Sequence, residues 1–548
     1  MKVAEAIGET VASHGVETFF GLVGSGNFAV VNALRAAGAE FYSSRHECAA
    51  VMMADGYARA SGKVGVASVH QGPGFTNTLT ALTEAAKSRT PLVLLAADTP
   101  PNTLWSNFKI DQAAFAATAG AIPERVRSPK TAAEDTARTL RRAQIERHPV
   151  VLNIPIDLVE LDAPDEPALP PEPPELEPPR PAERTVAKVA DLLAECERPV
   201  ILAGRGAALA GGREALEILG ERIGALLTTS AVGNGLFAGN PYDLGIAGGF
   251  SSPLAVELLG EADLVLAFGA SLNRWTMRHG RLFPRNARVV QVDLDEEVIG
   301  ALYDVEVGIV GDAAATAREI SEELEQRDVS KRGFRSEELA RNISNRRWRD
   351  EPYEDEGTEE YIDPRNLSIS LDELLPEERT VATDSGHFMG YPAMYLQVPD
   401  ERGFIFTQAF QSVGLGLASG IGATVARPDR LTVIATGDGG ALMALGEIET
   451  AARYKLPIVI VVYNDAAYGA EVHHFGPMDR PVDLAQFPDT DFAALARAAG
   501  AEGITVRKEE DLTSVKEWLG SRNRPLVIDA KVNPHVRAEW LKEAFRAH

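Results

Sequence analysis

The stretch TGDGGALMALGEIETAARYKLPIVIVVYNDAAYG, from Thr436 to Gly469, concentrates the residues best suited to hold a charged ligand. A first apolar run ends in Gly437-Asp438-Gly439, a helical pattern follows, and a second apolar run ends in Asn464-Asp465. In a parallel sheet both acids then arrive at one carboxyl edge, which is where such sheets bind ligands. Glycines beside Asp438 let the backbone approach a diphosphate, and the amino end of the helix favours its charge. Two carboxylates hold a diphosphate only through a hard cation, and short oxygen-bearing side chains suit magnesium. Alone, Gly-Asp-Gly reads as a turn and Asn-Asp as a helix cap; strand, Gly-Asp-Gly, helix, strand and Asn-Asp in succession is far rarer.

A second group lies near the amino terminus. Glu47, in SSRHECAAVMMADGYARASGKVGV, precedes an Ala-rich helical pattern, a position where a carboxylate ordinarily caps the helix. In VHQGPGFTNTLTAL a strand ends at His70, and Gly72, Pro73 and Gly74 open a helix at the carboxyl edge. Ser25 stands between two glycines in GLVGSGNF, and its plainer role is that of a turn residue.

These groups need parallel sheets to present them. From residue 1 to 162 the runs ETFFGLV, VGVASVH, PLVLLAA and PVVLNIPI read as buried strands alternating with amphipathic helices, the pattern of a parallel sheet covered on both faces. Residues 163–183, nearly all Pro, Glu, Asp and Leu, read as an extended linker. A second α/β unit spans 184–325 with PVILAGRG, ALLTTSA, DLVLAFGA and ARVVQVDLD; a charged linker, partly helical, spans 326–363. The third unit, 364–548, carries RTVATDSG, GFIFTQAF, LTVIATGDG, PIVIVVYND and PLVIDAKV. The expected fold class is α/β, three Rossmann-like parallel-sheet domains in a chain of 548 residues.

A formal charge of −25 argues against a nucleic-acid partner, since counterion release needs a basic surface. Cys48 and Cys196 are isolated, so no disulfide framework or thiolate metal site is indicated and a cytoplasmic setting is expected. Glu5, Glu9, His14 and Glu17 interrupt the first apolar residues, which excludes a signal-peptide core or membrane span there.

The Thr436–Gly469 segment resembles the thiamine-diphosphate fingerprint of the superfamily containing acetolactate synthase, pyruvate decarboxylase and benzoylformate decarboxylase. The resemblance covers the whole chain and is closest overall to the acetolactate synthase large subunit. It implies Asp438, the Asp465 side chain and the Ala467 carbonyl as magnesium ligands, with Gly437, Gly439, Gly440, Tyr468 and Gly469 around the diphosphate. The family more often has Asn where Asp465 stands. The resemblance makes Glu47 the carboxyl that drives the aminopyrimidine to the imino form able to take the thiazolium C2 proton, and turns the Gly72-Pro73-Gly74 loop toward the reacting end. His70 and Ser25 resemble the active-site His and Ser of benzoylformate decarboxylase, and Gln112, in FKIDQAAF, an active-site Gln reaching the same cavity.

In FQSVGLGLASGIGA, Val413 matches the apolar residue beneath the bent cofactor, and the Gln411 carbonyl the acceptor from the 4′-amino group. His387, in DSGHFMGYP, matches the loop touching the diphosphate, and Glu471 the catalytic Glu of pyruvate decarboxylases; His473 and His474 read as a solvent-facing stripe. In the central domain the resemblance raises FAD, through Gly204, Gly206, Gly211 and Gly212 in GRGAALAGGREAL, while GASLNRWTMRHGRLF departs from the usual flavin contacts. The activity implied is a thiamine-diphosphate- and magnesium-dependent 2-oxo acid decarboxylase or carboligase of the acetolactate synthase kind. The alternatives are a simple decarboxylase of the benzoylformate type and a non-catalytic thiamine-diphosphate or nucleotide binding protein. A small-molecule 2-oxo acid is the implied partner, and the implied assembly is a homodimer or homotetramer with sites shared between subunits.

Overall fold

The computed structural model describes residues 1–165 and 177–546 and contains three six-stranded parallel sheets covered by helices. The first comprises β1 (Thr18–Gly21), β2 (Glu40–Ser43), β3 (Gly65–Val69), β4 (Leu92–Asp98), β5 (Ile122–Arg125) and β6 (Pro149–Pro155), ordered β2-β1-β3-β4-β6-β5. The second comprises β7 (Pro199–Ala203), β8 (Leu226–Thr229), β9 (Asp243–Ile246), β10 (Leu264–Phe268), β11 (Arg288–Asp293) and β12 (Val307–Val310), ordered β12-β11-β10-β7-β8-β9. The third comprises β13 (Arg379–Thr383), β14 (Phe404–Phe406), β15 (Leu431–Gly437), β16 (Ile458–Asn464), β17 (Glu502–Val506) and β18 (Leu526–Lys531), ordered β14-β13-β15-β16-β18-β17. The α/β reading of three parallel-sheet domains therefore holds.

Five strands went unread in the sequence: β2, β5, β9, β12 and β17. All five are sheet edges. An inner strand of a parallel sheet is covered on both faces and reads as an unbroken apolar run, as in β4 and β16, where every residue is buried. An edge strand exposes part of its length, and β2 (EFYS) and β12 (VGIV) have no such run to show.

The first and third sheets repeat one strand order, and they meet through the helix after each edge strand. The helix Glu47–Ser61, which follows β2, lies against the helix Gly416–Ala426, which follows β14. A Cβ added at Gly56 would come within 2.0 Å of the Ser419 carbonyl oxygen, and one at Gly422 within 1.9 Å of the Met53 carbonyl oxygen. Only glycine admits backbones that close. Around this contact Met52 and Met53 of the first domain share one apolar cluster with Ile421, Ile434 and Ile460 of the third.

Most of the Pro/Glu-rich linker, 166–176, lies outside the described residues. The charged stretch 326–363 contains a helix, Glu337–Asn345, that buries Ile343, and Trp348 beyond it donates to the Phe250 carbonyl at 2.7 Å. Among the described residues no helix is long and apolar enough to cross a membrane.

Candidate functional site

A cavity of about 2040 Å³ runs from the carboxyl edge of the third sheet past central-domain residues such as Arg205, Asn273 and Asp295 to Lys87 and Arg147 of the first domain. Its wall at the sheet edge is built by the residues that leave β15 and β16. Paired in register through Gly437 and Tyr463, these strands deliver Asp438 as the first residue of the helix Asp438–Met443, and Asp465 just past the strand end. Both carboxyls are largely buried. The two carboxyls act on each other, and backbone N–H groups beside them favour their charged forms. Burial pushes both above the usual carboxylate range, and the charge of Asp438 pushes Asp465 further.

Two acids held together without a cationic side chain between them fit the chemistry of a cation site. Among the described residues no group of three or more His, Cys, Asp or Glu side chains converges on a metal position. A cation between Asp438 and Asp465 must therefore complete its shell from backbone carbonyls, water and a bound anion, which suits magnesium with a diphosphate. The turn beyond Asp465 is fixed, with Ala466 at φ +54° and two backbone bonds of 2.8 Å, Tyr468 N–H to Ala485 O and Phe487 N–H to Ala466 O. Ala467, Tyr468 and Gly469 line the cavity.

His387 forms the opposite wall. Its Nε2 accepts the Ala538 N–H at 2.9 Å, so the ring proton sits on Nδ1, 3.9 Å from Asp465 Oδ2. Burial, with His473 and Arg537 adding their charge, holds its pKa down at about 3. His387 is thus a neutral donor turned toward the acids. His473 stacks on it at 4.4 Å, and His474, buried, stacks on Phe545 at 3.9 Å; the solvent-facing stripe expected of these two histidines is corrected, because the helix Gly469–Phe475 packs against the carboxy-terminal segment. Glu471, on the same helix, is exposed and lines the cavity.

Gln411 and Val413 also line the cavity, in a loop that departs from ordinary backbone geometry at Gln411, φ +59°. Sequence reading passed over the residue that holds this loop. Asp384, fully buried at the end of β13, accepts N–H groups from Ser385 at 2.8 Å, Gly414 at 3.0 Å and Leu415 at 3.2 Å, and the Thr436 hydroxyl at 3.2 Å. The signal was present as an acid closing an apolar strand, the pattern that singled out Asp438.

The first-domain residues gather at the carboxyl edge of their own sheet. Glu47 begins its helix half-buried, and Oε2 accepts from the Asn77 amide at 3.0 Å. His70 Nδ1 donates to the Gln71 carbonyl at 2.7 Å, and Nε2 meets the Ser25 hydroxyl at 3.3 Å. Gln112 does not face the cavity as the resemblance implied. Its amide is spent internally, accepting the Gly72 N–H at 3.0 Å and donating to Ala97 O at 3.0 Å and Asn153 Oδ1 at 2.9 Å, so it positions the Gly72-Pro73-Gly74 loop. Although Lys87 and Arg147 of the first domain reach this cavity, none of Ser25, Glu47, His70 or Gly72–Gly74 lines it within the same chain.

Comparisons with known proteins bear on all three domains. Residues 1–115 match the N-terminal TPP binding domain of thiamine pyrophosphate enzymes, residues 186–320 their central domain and residues 384–530 their C-terminal TPP binding domain. The chain is 32% identical over 542 residues to a sulfoacetaldehyde acetyltransferase of Castellaniella defragrans, covering 93% of this chain and 89% of that protein. It is 28% identical over 570 residues to a probable acetolactate synthase large subunit of Methanococcus aeolicus, covering 97% and 92%. The fold superposes with a TM-score of 0.81 at 22% identity on a thiamine diphosphate-dependent 4-hydroxybenzoylformate decarboxylase of Rhodococcus jostii RHA1, covering 97% and 99%. With both cofactor-binding domain types and the central domain matched in order along one chain, this protein belongs to the thiamine pyrophosphate enzyme family.

Proposed function

We propose that the protein is a magnesium-dependent thiamine-diphosphate enzyme that decarboxylates a 2-oxo acid and either protonates the remaining fragment or joins it to a second carbonyl, in the manner of acetolactate synthase. The observation that carries this reading is the buried Asp438–Asp465 pair at the edge of the third sheet, matched by Glu47 at the edge of the first. Thiamine diphosphate, when bound, supplies a nucleophilic carbon at its thiazolium ring. Asp438 and Asp465 hold the magnesium, with Ala467 adding backbone oxygen. The neutral His387 donates from Nδ1 to the diphosphate. Gln411 and Val413 would contact the cofactor from the third domain, Glu47 would hold a proton beside its ring from the first, and the Ser25–His70 pair would orient a substrate carbonyl. Glu471, exposed on the cavity wall, is the proposed proton donor to product.

The half-sites need each other, yet one chain keeps them apart. Exposed apolar side chains flank both: Leu104, Trp105 (96% exposed) and Phe108 beside the first, Met443, Met478 and Leu484 (89% exposed) beside the third. A second copy of the chain covers both patches and completes two sites at once. A second reading, acetyl transfer from a sulfonated aldehyde, is favoured by the sulfoacetaldehyde acetyltransferase relatives. The deciding experiment supplies either pyruvate, or sulfoacetaldehyde with inorganic phosphate as the acetyl acceptor and sulfite as the group released, to the magnesium and thiamine-diphosphate loaded protein. Carbon dioxide release with acetolactate or acetaldehyde supports the first reading; sulfoacetaldehyde consumption with inert pyruvate replaces it by the second.

A further inference from the structure

The repeated strand order of the first and third sheets extends to their helices. After β3 the chain forms Pro73–Thr76 and then Leu79–Lys87; after β15 it forms Asp438–Met443 and then Gly446–Arg453. The longer helix of each pair carries one glutamate that is buried and bonded across to the other domain, Glu84 (0% exposed) in the first and Glu447 (2% exposed) in the third.

Glu447 Oε1 accepts two successive backbone N–H groups of the first domain, Arg45 at 2.9 Å and His46 at 3.1 Å, and Oε2 accepts the Thr450 hydroxyl at 2.8 Å. Glu84 does the converse. Its Oε2 accepts the Phe410 N–H at 2.6 Å, and its Oε1 accepts the Ala409 N–H at 3.3 Å, the Arg59 guanidinium at 3.1 Å and the Ser88 hydroxyl at 3.1 Å. Each pair of N–H groups lies where the chain leaves an edge strand, Arg45 and His46 just before Glu47, Ala409 and Phe410 just before Gln411. A guanidinium reinforces each crossing: Arg453 donates to the Ser43 carbonyl at 2.7 Å at the end of β2, and Arg59 to the Phe406 carbonyl at 3.0 Å at the end of β14.

Backbone N–H groups beyond a strand end have lost their ladder partners, and burying them unpaired is costly. A carboxylate brought across the domain boundary satisfies two at once and fixes the backbone there. We propose that Glu84 and Glu447 are reciprocal positioning residues, each holding the backbone that presents the other domain's cofactor-facing residues. The inference rests on the shared-site thiamine-diphosphate reading above. In that dimer Glu47 and the Gln411–Val413 loop of one chain serve different sites, so a single intrachain interface sets the geometry of both.

Amide hydrogen exchange of the cofactor-free protein tests the clamp directly. The amides of Arg45, His46, Ala409 and Phe410 are expected to exchange slowly although the Arg45 and His46 side chains are exposed. Glu447→Ala is expected to speed exchange in 41–48 and to lower kcat about tenfold to a hundredfold through misplaced Glu47, while thiamine-diphosphate affinity by calorimetry changes less than about twofold. Glu84→Ala is expected to speed exchange in 407–413 and to weaken cofactor affinity about tenfold. The Gln variants separate clamping from bulk packing. Glu447→Gln keeps the one oxygen that accepts both N–H groups and is expected to restore function, whereas Glu84→Gln puts an amide NH₂ where an acceptor is needed and is expected to resemble Glu84→Ala. Fast exchange of the four amides in the unaltered protein overturns the proposal, as does Glu447→Gln behaving like Glu447→Ala, or both Ala variants changing kcat and affinity alike. If an Ala variant does not fold, the unaltered protein's exchange and Glu447→Gln decide. An unaltered protein that binds no thiamine diphosphate overturns the function proposed above, while the exchange measurements still judge the clamp.

Discussion

Glu47 combines a half-buried carboxyl, a hydrogen bond from Asn77 and a place at the sheet edge. Glu47→Gln keeps the size and the hydrogen-bond acceptor but not the acid, so fold and cofactor affinity should persist while turnover falls by about two orders of magnitude or more, as measured by steady-state kinetics. Near-normal turnover removes Glu47 from proton transfer. In the proposed metal site Asp438 and Asp465 act as a pair, and neither oxygen replaces the other in the shell. Asp438→Ala and Asp465→Ala should each abolish magnesium-dependent thiamine-diphosphate binding in calorimetry, and unchanged affinity in both variants refutes the metal site. These acids were legible in the sequence because each closes a long apolar strand. Asp384, Glu84 and Glu447 were not singled out. A glutamate inside an Ala-rich helix reads as part of a solvated face, and what buries Glu84 and Glu447 is a second domain, which local pattern does not reveal.

At the scale of elements, the contact between the helices Glu47–Ser61 and Gly416–Ala426 links strand order to site. Gly56→Ala makes opposing demands. Alanine is the better helix former by about 0.8–1.0 kcal/mol, yet its Cβ would meet the Ser419 carbonyl oxygen at 2.0 Å. Overpacking of this kind costs about 1–3 kcal/mol and here displaces a backbone instead of a pliable side chain, so steric strain wins. Gly56→Ala is therefore expected to lower the melting temperature in calorimetry, and an unchanged or higher value contradicts the close helix contact. The same helix shows where pattern reading stops. Its Ala-rich composition announced a helix near a sheet, but the pairing of Gly56 with Ser419 joins residues hundreds of positions apart, which no local periodicity encodes. The unread edge strands fail for a related reason, since strand identity there comes from one neighbour's hydrogen bonds and not from burial on two faces.

For the whole molecule the decisive feature is the separation of the half-sites within one chain. The cavity holding Asp438, Asp465 and Val413 has neither Glu47 nor the Gly72–Gly74 loop of the same chain in its wall. The intrachain contact between these domains is already used, by the paired helices, the shared apolar cluster and the bonds of Glu84 and Glu447. It cannot also hold a cofactor between the same faces without unpacking. In the dimer proposed above, Glu47 comes opposite Asp438 through a second copy, related by a twofold axis so that each chain lends its first domain to the other's third. This arrangement makes a specific prediction. Let one subunit carry Glu47→Gln and the other Asp438→Ala, each inactive as a homodimer, and exchange subunits. In the mixed dimer one site collects both lesions and the other has neither, so activity should return to at most about half per mixed dimer, given independent sites. If subunit exchange is verified by mass and activity stays absent, or if sedimentation finds a fully active monomer, the shared-site dimer is wrong.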